Sequence, residues 1–369
     1  MTATPAPGPL RKRRPAASPH PPAGAPEPAH PHPPAGPHAT APTPPPPTPP
    51  PPTPATSTSA PSASTPSLPR AAAPLPDEDP RHYLEHGARL LRECLPAATL
   101  ERLARWRAAP TPWLELTGLP RPEAEIPTPR TGFCDESLLT VPNLVHFGLL
   151  RLLGLEPVAY RWENHGRLVR NVAPSPGAAR SQTSWGYATG LDWHTDDSVL
   201  DHRADGAAAE SIPHFLSFYG MRNTERVPTW LLPVDEVLAG LPAATADALR
   251  QPDFDVTAPE SYAPTHADTA GRPPLRTGVP LLWTLPGGAV GLRYGPGRVT
   301  GRTPAACEAL ARFEARIAAC EGEPVMVEAG GFQIFDNRRV MHRRLPFEPA
   351  AADRARWLRR CYARSTAAA

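Results

Sequence analysis

Apolar residues along this chain fall into two spacings. In "PRHYLEHGARLLRECL" and "AATLERLARW" they recur at helical intervals, which predicts helices that pack one face on a larger body. "DESLLTVPNLVHFGLLRLLG" predicts another helix, with Gly154 placed to end it. "TPAACEALARFEARIAACEG" predicts one more, with Thr303 as N-cap, Pro304 in the first helical position, and Leu310, Phe313 and Ile317 on one face. Between these lie short runs bounded by Gly, Pro and Asn that read as strands: "EPVAYRW", "RLVRNV", "HFLSFYGM", "PTWLLPV", "LLWTLP", "AVGLRY", "VMVEA" and "FQIFDN".

Many short strands with a few helices predict a mainly β fold class, a double-stranded β-helix (jelly-roll) core with peripheral α-helices. The segment 80–369 is long enough to bury a substantial core as one domain. It contains no internal repeat and no glycine-rich phosphate loop, which argues against a nucleotide enzyme.

Composition separates residues 1–79 from the rest. Of 56 prolines, 29 precede residue 81, and "PTPPPPTPPPPTP" occupies 42–54. With almost no large apolar side chains, this stretch cannot offset its ordering entropy, so 1–79 reads as a disordered Pro/Ala-rich tail, partly polyproline II. The formal net charge is +2, which gives no electrostatic case for nucleic acid or anionic lipid. "RKRR" at 11–14 reads as a solvated patch, and His20, His30, His32 and His38 lack the spacing of a metal site. No apolar run is long enough for a membrane span or the core of a secretory signal, so the expected location is the cytoplasm. The 5 cysteines lack CxxC spacing, as suits reduced, buried thiols.

Candidate chemistry begins in "GLDWHTDDSVLDHRADG" at 190–206, where His194 and Asp196 stand two apart. On a strand or its exit, residues i and i+2 project to the same side and can share one ion. "GGFQIFDNRRVMHRRLPF" then delivers His342 at the end of a second apolar run. Two imidazoles and one carboxylate, leaving other positions open, form the facial triad of non-haem Fe(II) oxygenases. A bidentate co-substrate on such an ion needs a cationic anchor, and "RARWLRRCYA" follows. Strand alternation turns Arg356 and Arg360 to one side, into a barrel, and leaves Arg359, with Arg354, as surface arginines of an edge strand.

With these pieces in place, the chain from about 114 to 363 resembles the Fe(II)/2-oxoglutarate-dependent dioxygenases. It is most similar to the clavaminate synthase-like group of the TauD/TfdA-type superfamily, which includes bacterial arginine and asparagine hydroxylases. The motifs are "RLVRNVAPSPG", "WHTDD" followed by "HRAD", "MRNTERVPT", and "FDNRRVMHRRLPF" running into "RWLRR". The resemblance implies His194, Asp196 and His342 as ligands of Fe(II). It implies Arg356 and Thr229 on the distal carboxylate of 2-oxoglutarate, with O2 as the second co-substrate. It also implies Arg360 as the partner of a substrate carboxylate, and Ser184 as a weaker substrate contact.

The sequence departs from that group at several points. The acidic ligand is Asp196 where glutamate is frequent, the residue after the distal histidine is Arg343 rather than glycine, and Gly330-Gly331 replaces a Gly-Asp turn. Arg343 puts a cation beside the iron pocket unless it turns to solvent. An extra loop, "GAAAESIP" at 206–213, stands where a substrate lid could form. The function implied is hydroxylation of an unactivated C–H bond of an amino acid or amino-acid-derived small molecule, free or carrier-tethered, in bacterial specialised metabolism. Desaturation or cyclisation by the same cofactors, a zinc-dependent hydrolase, and a non-catalytic binding barrel are the alternatives. Because "GLRYGPGRVTG" at 291–301 holds no acid, a basic substrate side chain is not expected.

Overall fold

The structure, a computed structural model, describes residues 74–202, 211–262, 275–351 and 353–366, all within one of the chain's two units, Ser62–Ala369. The readings of 1–73 as a polyproline tail and of 206–210 as a lid lie outside the described residues. Helices α1 (Pro80–Cys94) and α2 (Ala97–Ala108) come first, followed by strand β1 (Trp113–Leu116). A short 3-10 turn, Glu136–Leu139, leads into α3 (Thr140–Leu152), then β2 (Leu155–Val158), β3 (Val169–Val172) and β4 (Leu191–His194). Next come β5 (Phe215–Arg222), β6 (Thr229–Pro233), α4 (Val234–Ala239), α5 (Ala243–Leu249), β7 (Phe254–Thr257) and β8 (Leu275–Val279). The chain continues through β9 (Leu282–Thr284), β10 (Val290–Leu292), β11 (Val299–Gly301), α6 (Pro304–Ala318) and β12 (Glu323–Val325). It closes with β13 (Phe332–Asp336), β14 (Val340–Arg344) and β15 (Trp357–Ser365).

All the strand pairs are antiparallel. The larger sheet runs β1-β13-β5-β15-β2, with β3 also paired to β15, and a second sheet runs β12-β6-β14-β4. The connections β5 to β6 and β13 to β14 each carry the chain from the first sheet to the second. Leu358, Phe218, Leu231 and Met341 share the core that joins the two sheets, and α6 covers it with Leu310, Phe313 and Ile317. On its other face the larger sheet packs Ile334, Phe215 and Cys361 against Val145 and Leu149 of α3. Among the described residues no helix is long and apolar enough to cross a membrane.

Helix starts follow their chemistry. Thr303 accepts from the amide of Ala306 and caps α6, as its sequence predicts. Asp79 caps α1 in the same way, Asp77 accepts from the amide of Leu168 at 2.7 Å, and the Tyr83 hydroxyl donates to the carbonyl of Pro74. Residues 74–79, assigned to the tail on composition, therefore belong to the folded body. The strand predicted at "VMVEA" lies earlier, at Glu323–Val325, and β1, β7, β8 and β11 are not among the runs read as strands.

The helices α1 and α3 meet backbone to backbone. A Cβ on Gly87 would lie 2.1 Å from the carbonyl oxygen of Leu144, and one on Gly148 would lie 2.5 Å from the carbonyl carbon of Gly87. In an isolated helix Gly→Ala stabilises by about 1 kcal/mol. Here the sign should reverse, with Gly87→Ala losing about 1–3 kcal/mol through overpacking, measured by urea unfolding. A stabilised variant would show that the two helices do not touch.

His146 of α3 is fully buried beneath the larger sheet. The Ser217 hydroxyl donates to the carbonyl of Cys361, so His146 Nε2 must donate to Ser217 Oγ at 2.8 Å, and among the described residues its Nδ1 has no partner. Burial, aided by the Arg359 charge, lowers the imidazole pKa to about 3. The folded pKa lies below the unfolded value of about 6.5, so this contribution to stability is full above pH 6.5 and is lost as pH falls toward 3. The slope is at most about 1.4 kcal/mol per pH unit for this group. His146→Gln should flatten the acid limb of an unfolding free energy against pH profile, and an unchanged limb would rule out this source.

Candidate active site

Strand pairing brings the two predicted histidines together. His194, the last residue of β4, is the register partner of His342 in β14, and their rings lie 4.2 Å apart. Asp196 lies just past the end of β4, with its Oδ1 3.3 Å from His194 Nε2 and 3.7 Å from His342 Nε2. One ligand atom from each of the three lies within 4.8 Å of the others. Metal bonds of about 2.1 Å meeting at right angles put neighbouring donors about 3 Å apart, so the spacing suits a single ion.

The protonation pattern fits as well. His194 Nδ1 stands 2.6 Å from the carbonyl of Asp192, which can only accept. That nitrogen carries the proton and the lone pair is left on Nε2, toward Asp196. Burial and the neighbouring His194 lower the His342 pKa to about 3, with Asp196 opposing, so this ring is neutral and its Nε2 can bind a cation. Burial works against charge on Asp196, but the Arg360 guanidinium beside it holds its carboxyl well below the usual range. Its Oδ2 accepts from Arg360 Nη1 at 3.2 Å and from the Tyr362 hydroxyl at 3.0 Å, which leaves Oδ1 for a metal.

The same pocket contains Arg356, Thr229, Arg344, Arg360 and Ser184, against an apolar wall that includes Val172 and Phe218. Arg356 is 3% exposed, and among the described residues its guanidinium makes no hydrogen bond. Burial and the nearby Arg344 lower its pKa to about 9, only partly opposed by Glu225, which accepts from its backbone amide. A buried cation without a partner is costly, and a carboxylate entering this pocket would relieve that cost. Thr229 opens β6 and is buried beside the same space.

The remaining predicted residues are also here, but already engaged. Arg360 donates to Glu163 Oε1 at 2.8 Å as well as to Asp196, and stacks 4.1 Å from the Tyr362 ring. Although burial disfavours its charge, Glu163, Tyr362 and Asp196 raise its pKa further. Ser184 accepts from Arg170 Nε at 2.6 Å, and Arg170 in turn pairs with Glu163. Arg343, expected beside the metal unless it turned away, is among the residues lining the pocket, but its guanidinium lies over the indoles of Trp193 at 4.4 Å and Trp230 at 5.0 Å. Arg354 is exposed, as expected for a surface arginine.

The reading of Arg359 as a surface arginine is corrected. β15 is an interior strand between β5 and the β2/β3 edge, and its second face is covered by α3. Arg359 is 0% exposed there, bonded to Glu136 at 2.6 and 3.1 Å, to Asn143 at 2.6 Å and to Asn171 at 3.1 Å. Sequence reasoning also passed over Glu163, Asn337, Tyr362 and Arg344. Tyr362 was within reach, since alternation puts it on the face of Arg356 and Arg360. Nothing local marked Glu163, whose partners lie on β3 and β15.

Sheets that deliver two histidines in register, a carboxylate at the strand exit and a buried arginine across the pocket define an oxygenase class. The chain belongs to the taurine catabolism dioxygenase TauD, TfdA family, whose sequence profile matches residues 143–362, and it is an Fe(II)/2-oxoglutarate-dependent enzyme of that type. It is 30% identical over 281 residues to the L-asparagine oxygenase of Streptomyces coelicolor, covering 72% of this chain and 75% of that protein. It is 29% identical over 177 residues to the L-lysine 3-hydroxylase of Catenulispora acidiphila, and spans about half of that relative, 47% of each chain. The crystal structure of asparagine oxygenase with Fe(II), 2S,3S-3-hydroxyasparagine and succinate superposes with a TM-score of 0.64 at 28% identity, covering 79% of this chain and 86% of that one.

Proposed function

We propose that this enzyme hydroxylates an unactivated C–H bond of a small amino acid or amino-acid-derived substrate, on a double-stranded β-helix core. His194, Asp196 and His342 are assigned as the Fe(II) ligands, with Arg356 and Thr229 holding the distal carboxylate of 2-oxoglutarate. The observation that carries the reading is the unpaired, buried Arg356 in the pocket of the three donors, since a hydrolytic metal site would leave that cation without a role. The relatives named above oxidise asparagine and lysine, which points to the amino-acid class.

When bound, Fe(II) with 2-oxoglutarate and O2 supplies the oxidation: 2-oxoglutarate becomes succinate and CO2, and the second oxygen atom enters the substrate C–H bond. This chain's residues orient and insulate that chemistry. Arg360 and Tyr362 hold Asp196 Oδ2, fixing which oxygen faces the ion. Arg356 offers a planar fork suited to bidentate pairing with a carboxylate. The apolar wall keeps other hydrogen donors from the reacting carbon. Glu163 braces Arg170 and Arg360, so Arg360 shares its charge among Asp196, Glu163 and any substrate carboxylate at Ser184.

The test is succinate release by Fe(II)-loaded protein supplied with 2-oxoglutarate, O2 and a panel of amino acids. Stimulation by neutral or acidic amino acids above arginine and lysine is what 291–301 predicts, since it contributes Gly295, Pro296 and Arg298 to the pocket and no acid. Stimulation by arginine or lysine instead would assign their side chains to Asp192 or Asp197, which also line it. Zn(II)-dependent hydrolysis without Fe(II)-dependent succinate would overturn the reading.

A further inference from the structure

His194 and His342 are held opposite each other by the β4/β14 ladder, but Asp196 has no such support. It stands past the end of β4, and Asp197 after it adopts a left-handed backbone (φ 54°), so the chain turns away at once. One side chain closes this gap. Asn337, fully buried in the connection from β13 to β14, accepts from the Asp196 amide at 2.8 Å and donates to the Asp196 carbonyl at 3.0 Å. Its amide nitrogen also donates to the carbonyl of Pro213 at 3.2 Å, and its backbone amide donates to the carbonyl of His214.

We infer that Asn337 is a positioning residue for the carboxylate ligand, locking the backbone of Asp196 to the turn that delivers His342. The inference rests on the ligand assignment made above. A single amide that satisfies both the donor and the acceptor of one residue acts like a rung of sheet, in the place where the sheet has stopped. Its effect on the metal is indirect. With the Asp196 backbone fixed, Arg360 and Tyr362 need only set the carboxylate rotation, so Oδ1 stays between the two imidazoles. Aspartate at 337 keeps one acceptor but sets an oxygen against two carbonyls, and leucine removes all three side-chain bonds at similar volume.

The experiment measures anaerobic Fe(II) affinity, the visible Co(II) ligand-field spectrum and the melting temperature of wild type, Asn337→Leu and Asn337→Asp. Folded variants should bind Fe(II) 10–100-fold more weakly and show an altered Co(II) spectrum, a change that a purely structural residue would not produce. A folded variant with wild-type affinity and spectrum overturns the inference. If both variants fail to fold, hydrogen exchange in the wild type decides: the Asp196 amide should be protected, and fast exchange refutes the clamp. Wild-type protein without saturable Fe(II) binding would instead sink the ligand assignment itself.

Discussion

Arg359→Ala should cost about 3–5 kcal/mol of folding stability. The side chain is wholly buried and spans Glu136, Asn143 and Asn171, so truncation leaves the largely buried Glu136 carboxylate without its countercharge, with Asn143 still donating to it. Asn171 also holds the Trp357 indole at 2.9 Å, so the loss reaches the start of β15, next to Arg356. Removing both charges as Glu136→Leu with Arg359→Met should recover a large part of the loss, because the penalty comes from the stranded charge. Chemical denaturation of the single and double variants checks this. A single variant within about 0.5 kcal/mol of wild type would place Arg359 on the surface after all.

Arg356→Ala should raise the apparent constant for 2-oxoglutarate about 100-fold while leaving Fe(II) affinity nearly unchanged, since a charge-assisted bidentate pair contributes on the order of 3 kcal/mol. Removing an unpaired buried cation should not destabilise the apo fold and can stabilise it, which separates this variant from Arg359→Ala. Lysine should restore affinity only in part, as a point charge cannot reproduce the fork. Titration of 2-oxoglutarate against Fe(II)-loaded protein, with a melting curve of each apo variant, tests both halves. An unchanged constant for 2-oxoglutarate would remove Arg356 from the co-substrate site.

The two arginines show where reading the chain succeeds and where it stops. Alternation along "RARWLRR" correctly turned Arg356 and Arg360 to one side and Arg359 to the other, because successive strand side chains must point to opposite faces. Alternation carries no information about what lies against each face. The surface reading of Arg359 failed because α3 and Glu136, more than two hundred residues earlier in the chain, cover that side. Composition misjudged 74–79 for the same reason: Asp77 and Pro74 are held by Leu168 and Tyr83, contacts that a tally of residue types cannot see.

By itself the sequence determined which two histidines and which carboxylate to look for, the Thr303 cap and the alternation of the last strand, since these depend on residue type and on neighbours a few positions away. His194 and Asp196 needed only their spacing of two, and Thr303 needed only the free amides that follow it. Tertiary structure decided what each charge meets. Arg360 is drawn between Asp196 and Glu163, Arg343 is turned onto two indoles, and Asn337 reaches across 141 positions to clamp Asp196. In a buried site a charge takes its role from whichever opposite charge or lone pair lies within about 3 Å, and in an antiparallel fold that partner is set by strand order and register.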